Sequence, residues 1–435
     1  MRSDPPAGTP GTPDAHADAP RPASPPAPNA RTTDLTAPEP VREHVLSWPP
    51  NALPAPEPAP PPEPEPIVVP PVVEVESLDW NAIRRRIDPP AIRAQAPAVL
   101  DALEALLGAP DGPGLLFDAD RAGPDDRAIA VRALAPDAPL WFIGDLHGDL
   151  LALEAALALA ARESTPEHPP RLVFLGDLFD DGGYGLEILL RVYELIVAHP
   201  DTVCVIAGNH DEALQWTGER FGSSVSPSDF AEWLVAHPED TLAARAAQLA
   251  VRLFARAPRA LFLPDGLLVA HGGFPLSDLH AELEASGDFN DPRALTDFVW
   301  TRAHPKARRK MPNRASRGSQ FGHEDFDAFC ALAARLGRPV THLVRGHDHV
   351  DERWAVYPAY AKHPVLTTVA LSRRLPRELF GPYARVPTVA RWVPGALPQV
   401  HRLHVPEALV RELYPEEPDP EGMSGAADAA VEPAA

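Results

Sequence analysis

Cysteine is nearly absent: two residues, Cys204 and Cys330, in a chain of 435. Both lie in apolar segments far apart in sequence, which excludes a disulfide-stapled fold and suits buried thiols in a reducing compartment. Long hydrophobic runs are missing too. No uncharged apolar stretch approaches 18 residues and MRSDPPAGTP contains no apolar leader core, so a soluble, cytoplasmic protein without membrane contact is expected. Positive charge is scarce, 39 basic against 61 acidic residues for a net −22. Apart from the short KARRK at 306–310 there is no basic run, and nucleic-acid binding is disfavoured. There is no Walker-type or dinucleotide glycine loop and no internal repeat.

Proline, in contrast, is abundant, 56 residues. Roughly two-fifths of them fall before Val72, in stretches such as PAPEPAPPPEPEP. Such a segment cannot bury enough apolar surface to offset chain entropy, so residues 1–77 are expected to be a disordered or polyproline-like tail. The acidic end, 411–435, reads the same way. The two tails carry more than half of the net charge, which leaves the body only mildly acidic. Residues 78–126 read as a helical lead-in, with Val99, Leu100, Leu103, Leu106 and Leu107 on one face. Residues 127–410 read as the main domain. There PLWFIG, RLVFLG, TVCVIAG, LLVAHGG and THLVRG are strand-like and alternate with helical stretches such as LLALEAALALAARE, which argues for an α/β fold. The stretch 212–259 reads as mostly helical, and Pro264-Asp265-Gly266 as a turn between short strands.

The informative feature is how these strands end. WFIG runs into Asp145 and His147, LVFLG into Asp177 and Asp180, CVIAG into Asn209 and His210, LLVA into His271, and HLVRG into His347 and His349. One polar turn beside a glycine is ordinarily only a turn. Five in one chain, each at a strand's carboxyl end, are placed to converge as sites in α/β sheets do. Carboxylate, imidazole and amide oxygen without thiolate suit first-row dications such as Mn, Fe, Zn or Co. Two Asp, one Asn and four His exceed what one tetrahedral ion needs. They fit two ions about 3.5–4 Å apart that clamp a displacement at phosphorus.

GDLHGD, GDLFDD, GNHDE, HGG and RGHDH, in that order, resemble the calcineurin-like metallophosphoesterases, and within them the phosphoprotein phosphatase branch, in particular bacterial relatives of the Ser/Thr phosphatases. The similarity spans about residues 137–375 and includes FVWTRAHP and RGSQFG. The resemblance implies an α/β fold of two β-sheets packed as a sandwich and flanked by helices. It also implies two divalent metal ions, Mn foremost, with Fe or Zn as alternatives. One metal would be held by Asp145, His147, bridging Asp177 and His349. The other would be held by Asp177, Asn209, His271 and His347. By the same resemblance a hydroxide on the metals attacks phosphorus, His210 protonates the leaving oxygen, and Asp180 orients His210. Arg317 and Arg345 would bind phosphate; Arg302 reads more readily as a structural ion-pair residue. The branch carries Asp-Arg-Gly after its second motif, where this chain has Asp180-Asp181-Gly182. A carboxylate there removes a bidentate phosphate clamp and adds repulsion. Asp211 stands where the branch has Glu.

The expected function is hydrolysis of phosphomonoesters, on a phosphoprotein or a small phosphoester. Cleavage of phosphodiesters or dinucleoside polyphosphates is the alternative within the same chemistry. An alternative of another class is a non-catalytic interaction protein that presents its proline-rich tail to a partner.

Overall fold

The computed structural model describes residues 69–109, 114–135, 139–165, 169–308, 311–312, 318–378 and 381–415. The greater part of both terminal tails, and Arg317, therefore lie outside the described residues.

Two six-stranded sheets form the centre. In the first, strands Val72–Val75, Gln399–Leu403, Thr388–Trp392, Leu140–Ile143, Arg171–Phe174 and Val203–Val205 lie side by side in that order. In the second the order is Trp354–Val356, Val365–Thr368, His342–Arg345, Leu267–Ala270, Ala260–Phe262 and Ala128–Ala130. Side chains alternate across each strand, as a pleated strand requires. Leu140, Phe142, Val173, Cys204, Leu261, Val269 and Val344 meet in one core between the sheets. Trp141, Ile143, Leu172, Phe174 and Val203 face outward from the first sheet onto helices Pro89–Gly108, Leu150–Arg162, Gly185–Ala198 and Thr241–Arg256. Phe262, Leu268 and Leu343 face outward from the second sheet onto helices Pro292–Trp300 and His323–Arg335. This is the helix-flanked two-sheet sandwich expected. Both cysteines are buried free thiols, and burial above all pushes Cys204 up to about 12.

Three boundaries differ from the sequence reading. Val72–Val75, assigned there to the tail, is the edge strand of the first sheet, paired parallel with Val400–Leu403. VVEV is β-branched and alternating, so its local pattern overrides the proline-rich composition before it. The helix Glu407–Leu413 runs past residue 410 and buries Val410 and Leu413. The stretch after Asn209 is not wholly helical, since Leu214–Trp216 and Phe221–Ser223 form a hairpin before the helices resume. Helices Trp80–Arg86 and Pro89–Gly108 precede strand Ala128–Ala130 of the second sheet, with Leu100 and Leu103 buried.

Candidate metal centre

The strands Leu140–Ile143, Arg171–Phe174 and Val203–Val205 are parallel neighbours in the first sheet. Leu267–Ala270 and His342–Arg345 are parallel neighbours in the second. All five carboxyl ends open on the same edge of the sandwich, and the loops that leave them meet there. The ring nitrogens and carboxylate oxygens of Asp145, His147 and His349 fall into one cluster, and those of Asp177, His271 and His347 into a second. Asp177 Oδ2 stands between them, 3.7 Å from His147 Nε2 and 3.3 Å from His271 Nε2. Asn209 Oδ1 lies 3.1 Å from His271 Nε2.

Hydrogen bonds at the rear of the imidazoles decide what faces inward. His271 Nδ1 donates to the carbonyl of Leu175 at 2.8 Å. That leaves the Nε2 lone pair directed at His347 Nδ1, 3.1 Å away. In the first cluster His349 Nδ1 donates to Glu378 Oε1 at 2.6 Å, so its Nε2 faces His147 Nε2 at 3.2 Å. A nitrogen lone pair at such a separation from a second ring nitrogen calls for a proton or a cation between them. Both oxygens of Asp145, fully buried, and His347 Nε2 have no hydrogen-bond partner. Buried polar atoms left in this way are costly without a ligand. The donor set therefore fits two divalent cations, and a histidine backed by a carboxylate is the usual support for such a ligand.

The electrostatics agree. Burial holds the imidazoles of His147 and His347 well below their usual range and brings His349 down to about 4, so all three are neutral. Burial raises Asp145 to about 6. For His271 burial is outweighed by Asp177 and Asp145, and its value rises to about 9. A cation would displace that proton.

Beside the clusters, His210 Nδ1 lies 2.9 Å from Asp180 Oδ2, and the other Asp180 oxygen accepts the Phe230 amide at 3.1 Å. Burial opposes charge on His210, but Asp177 and Asp180 together raise its value above the ordinary imidazole range. The peptide N–H of His210 donates to Asp177 Oδ1 at 2.9 Å. Asp211 accepts the amides of Asp177, Leu178 and Gly208 at 2.7, 3.1 and 3.0 Å, locking the second loop against the third.

The structure thus brings together Asp145, His147, Asp177, Asn209, His271, His347 and His349, with the His210–Asp180 pair alongside. Arg345 does not join them. It is fully buried and its guanidinium donates to the carbonyls of Gly272 and Thr301, to Asp348 and to Thr367. The expectation that Arg345 binds phosphate is corrected: its buried side chain ties loops together and lines neither cavity beside the centre. Arg302, read as an ion-pair residue, bonds Asp348 Oδ1 at 2.9 Å and the His347 carbonyl at 2.8 Å. Sequence reasoning missed Arg377 and Glu378, carried on the short 3-10 turn Pro376–Glu378. Arg377 Nη2 lies 3.3 Å from both His147 Nε2 and His349 Nε2 and 3.0 Å from Asp181 Oδ2. No glycine-flanked strand end announces this turn.

The calcineurin-like phosphoesterase family model matches residues 138–351 and so takes in all five strand endings. Residues 138–351, just under half of the chain, thus form a calcineurin-like phosphoesterase domain. Among its curated relatives, the serine/threonine-protein phosphatase 4 catalytic subunit of Candida glabrata is 43% identical over 77 residues, 17% of this chain and 23% of that one. The serine/threonine-protein phosphatase T of Schizosaccharomyces pombe is 23% identical over 233 residues, 51% of this chain and 43% of that one. The chain thus spans less than half the length of these two relatives. A solved protein serine/threonine phosphatase from Saccharomyces cerevisiae superposes with a TM-score of 0.48 at 17% identity, over 74% of this chain and 91% of that chain. None of the described helices is long and apolar enough to cross a membrane.

Proposed function

We propose that this protein is a dinuclear-metal-dependent phosphomonoesterase, acting on phosphoserine or phosphothreonine or on a small phosphoester. The observation that carries this reading is the pair of ligand clusters joined at Asp177 with a histidine–carboxylate dyad beside them. Asp145, His147, Asp177 and His349 would hold one cation, and Asp177, Asn209, His271 and His347 the other. Two such ions supply positive charge for the phosphoryl oxygens and lower the pKa of water from 15.7 to about 7. His210 is positioned to give its Nε2 proton to the leaving oxygen while Asp180 holds Nδ1 and balances the imidazolium charge. A cavity of ≈ 1030 Å³, lined by Asp181, His210, Asp229, Trp300, Arg302 and Arg377 among others, opens beside the dyad and has room for a phosphoester. Mn, Fe and Zn all suit the donors.

Purified full-length protein, stripped and reloaded with Mn, Fe or Zn, is to be assayed on an aryl phosphate, phosphopeptides, a bis-aryl diester and dinucleoside polyphosphates. The reading expects metal-dependent turnover of monoesters that His210→Ala reduces by about 10²-fold or more. Monoester turnover that is absent with every metal, or indifferent to His210, would refute it. The diesterase reading draws on Asp181, which puts a carboxylate where the related phosphatases carry an arginine. Faster turnover of the diester than of any monoester would favour it.

A further inference from the structure

Asp181 poses a problem for an anionic substrate. Its carboxylate is buried to 4% exposure and lines the cavity next to His210. Oδ2 has no hydrogen-bond partner, although it sits 3.2 Å from His147 Nδ1. Left alone, this charge would repel a phosphate. The group facing it is the Arg377 guanidinium, which comes from another part of the chain at 3.0 Å.

The turn that presents Arg377 is rigidly held. Its neighbour Glu378 takes both Arg353 terminal nitrogens at 2.8 Å, His349 at 2.6 Å and the Leu375 amide at 3.0 Å. Arg377 itself is half-exposed, 41%. Its contacts run through Nη2 alone; Nη1 and Nε make no hydrogen bond among the described residues. It lines the cavity beside the dyad and also the smaller one reaching Asp177, Asn209, His347 and His349. Among the described residues, Arg345, Arg353 and Arg373 beside the centre are buried and bonded to protein groups, and Arg302 is paired with Asp348.

We propose that Arg377 is the residue that grips the substrate phosphate, and that Asp181 is its holder, aligning the guanidinium over the metal centre. The inference rests on the phosphoesterase reading above. A carboxylate on one side and a rigid turn on the other hold a side chain that lines the cavity and keeps Nη1 and Nε unbonded among the described residues. A guanidinium fork matches phosphate oxygens there, which an ammonium would meet only as a point charge. Two cations beneath would repel the guanidinium outward, into the space where the phosphate enters. The apparent exchange of arginine for aspartate at position 181 is then a relocation: the positive charge arrives from residue 377.

The test uses the full-length, metal-loaded protein and the variants Arg377→Ala, Arg377→Lys and Asp181→Asn. Three quantities are measured: KM and kcat for an aryl phosphate, binding of inorganic phosphate by calorimetry, and metal affinity in the absence of phosphate. Arg377→Ala should raise KM and weaken phosphate binding by ten- to a hundredfold, with metal affinity unchanged or tighter because a like charge has gone. Arg377→Lys should recover part of the loss, and Asp181→Asn should weaken phosphate binding by a few-fold. Phosphate binding and KM unaltered by Arg377→Ala would overturn the proposal. So would metal affinity falling in step with phosphate affinity, which marks a merely structural arginine. Phosphate binding to the loaded protein is read without turnover. A wild-type protein that turns over no ester yet binds phosphate through Arg377 would refute the esterase reading and leave this inference standing.

Discussion

Asp180→Asn isolates the acid half of the proposed chemistry. The Asp180–His210 contact is 2.9 Å long, between side chains 2% and 4% exposed, so water does not substitute for it. The carboxamide oxygen can still accept the Phe230 amide, and the loop should keep its shape. Its NH2, however, donates to Nδ1 and leaves a neutral imidazole with the proton on Nε2, a poor acid. A hydrogen bond to a charged group contributes about 1.5–3 kcal/mol, and each 1.36 kcal/mol of barrier is tenfold in rate. The kcat for an alkyl phosphate, whose leaving alkoxide needs a proton, should therefore fall about ten- to 150-fold. For p-nitrophenyl phosphate, whose leaving group departs unprotonated, the loss should stay within about threefold. The pH profile supplies a second readout. Asp177 and Asp180 together raise His210 against the opposing effect of burial, and a general acid must be protonated, so kcat declines as pH rises through its value. Without the Asp180 charge that decline should begin at lower pH. Steady-state kinetics on both esters across pH 5–9 decide it: equal losses on the two esters, or an unmoved alkaline limb, would show that His210 and Asp180 do not act as acid and holder.

Glu378→Gln removes the carboxylate behind His349 and should weaken binding of one metal equivalent by about ten- to a hundredfold; titration calorimetry should show the second equivalent within a few-fold of wild type. Gly346→Ala would put a Cβ 2.2 Å from Asp145 Oδ1. The carboxylate must move, and metal affinity should drop more than tenfold in a protein with unchanged circular dichroism. Acid stability should reflect His342, which burial lowers to about 4 from an ordinary 6.5. Between those values the unfolded chain takes a proton the folded chain refuses, so stability is intact above pH 6.5 and lost as pH falls towards 4. The gap corresponds to about 3 kcal/mol, and His342→Gln should flatten that part of the urea-midpoint profile.

The strand endings were legible because each is a local pattern, an apolar run, a glycine, then a ligand-capable side chain within one turn. The sheets that carry them were legible as short apolar runs alternating with helical stretches. What escaped has no local pattern. Arg377 and Glu378 belong to the connection between strands Val365–Thr368 and Thr388–Trp392, and only the course of that connection over the mouth of the site brings them to His147 and His349. Arg345 was misplaced although its periodicity held the answer. Leu343 faces the outer helices and Val344 the core between the sheets, so Arg345 returns to the outer side, where the carbonyls of Gly272 and Thr301 await it. Proximity to Gly346-His347 in sequence outweighed that alternation. Val72–Val75 was lost to composition, since prolines on one side hid an alternating run that pairs with a strand more than 300 residues later.

The backbone separates a metal site from a run of polar turns. Asp145, His147, Asp177, Asp180, Asp181 and His347 all have positive φ, between 39° and 70°. For side-chain-bearing residues such conformations cost of order 1 kcal/mol or more each, and a chain that only needed to turn could place glycine there. Glycines share these loops: Gly148, Gly176, Gly182 and Gly183 also have positive φ, while a Cβ on Gly208 would lie 2.3 Å from the Asp177 amide and one on Gly346 would strike Asp145. Strain in these loops is thus carried not by glycine alone but also by residues whose side chains reach the centre. Polar turns alone give no reason for placing strain on those residues. The proposed pair of cations would give one, because ligand side chains gain from being held in place and close packing of their loops brings donors from two sheets to one point.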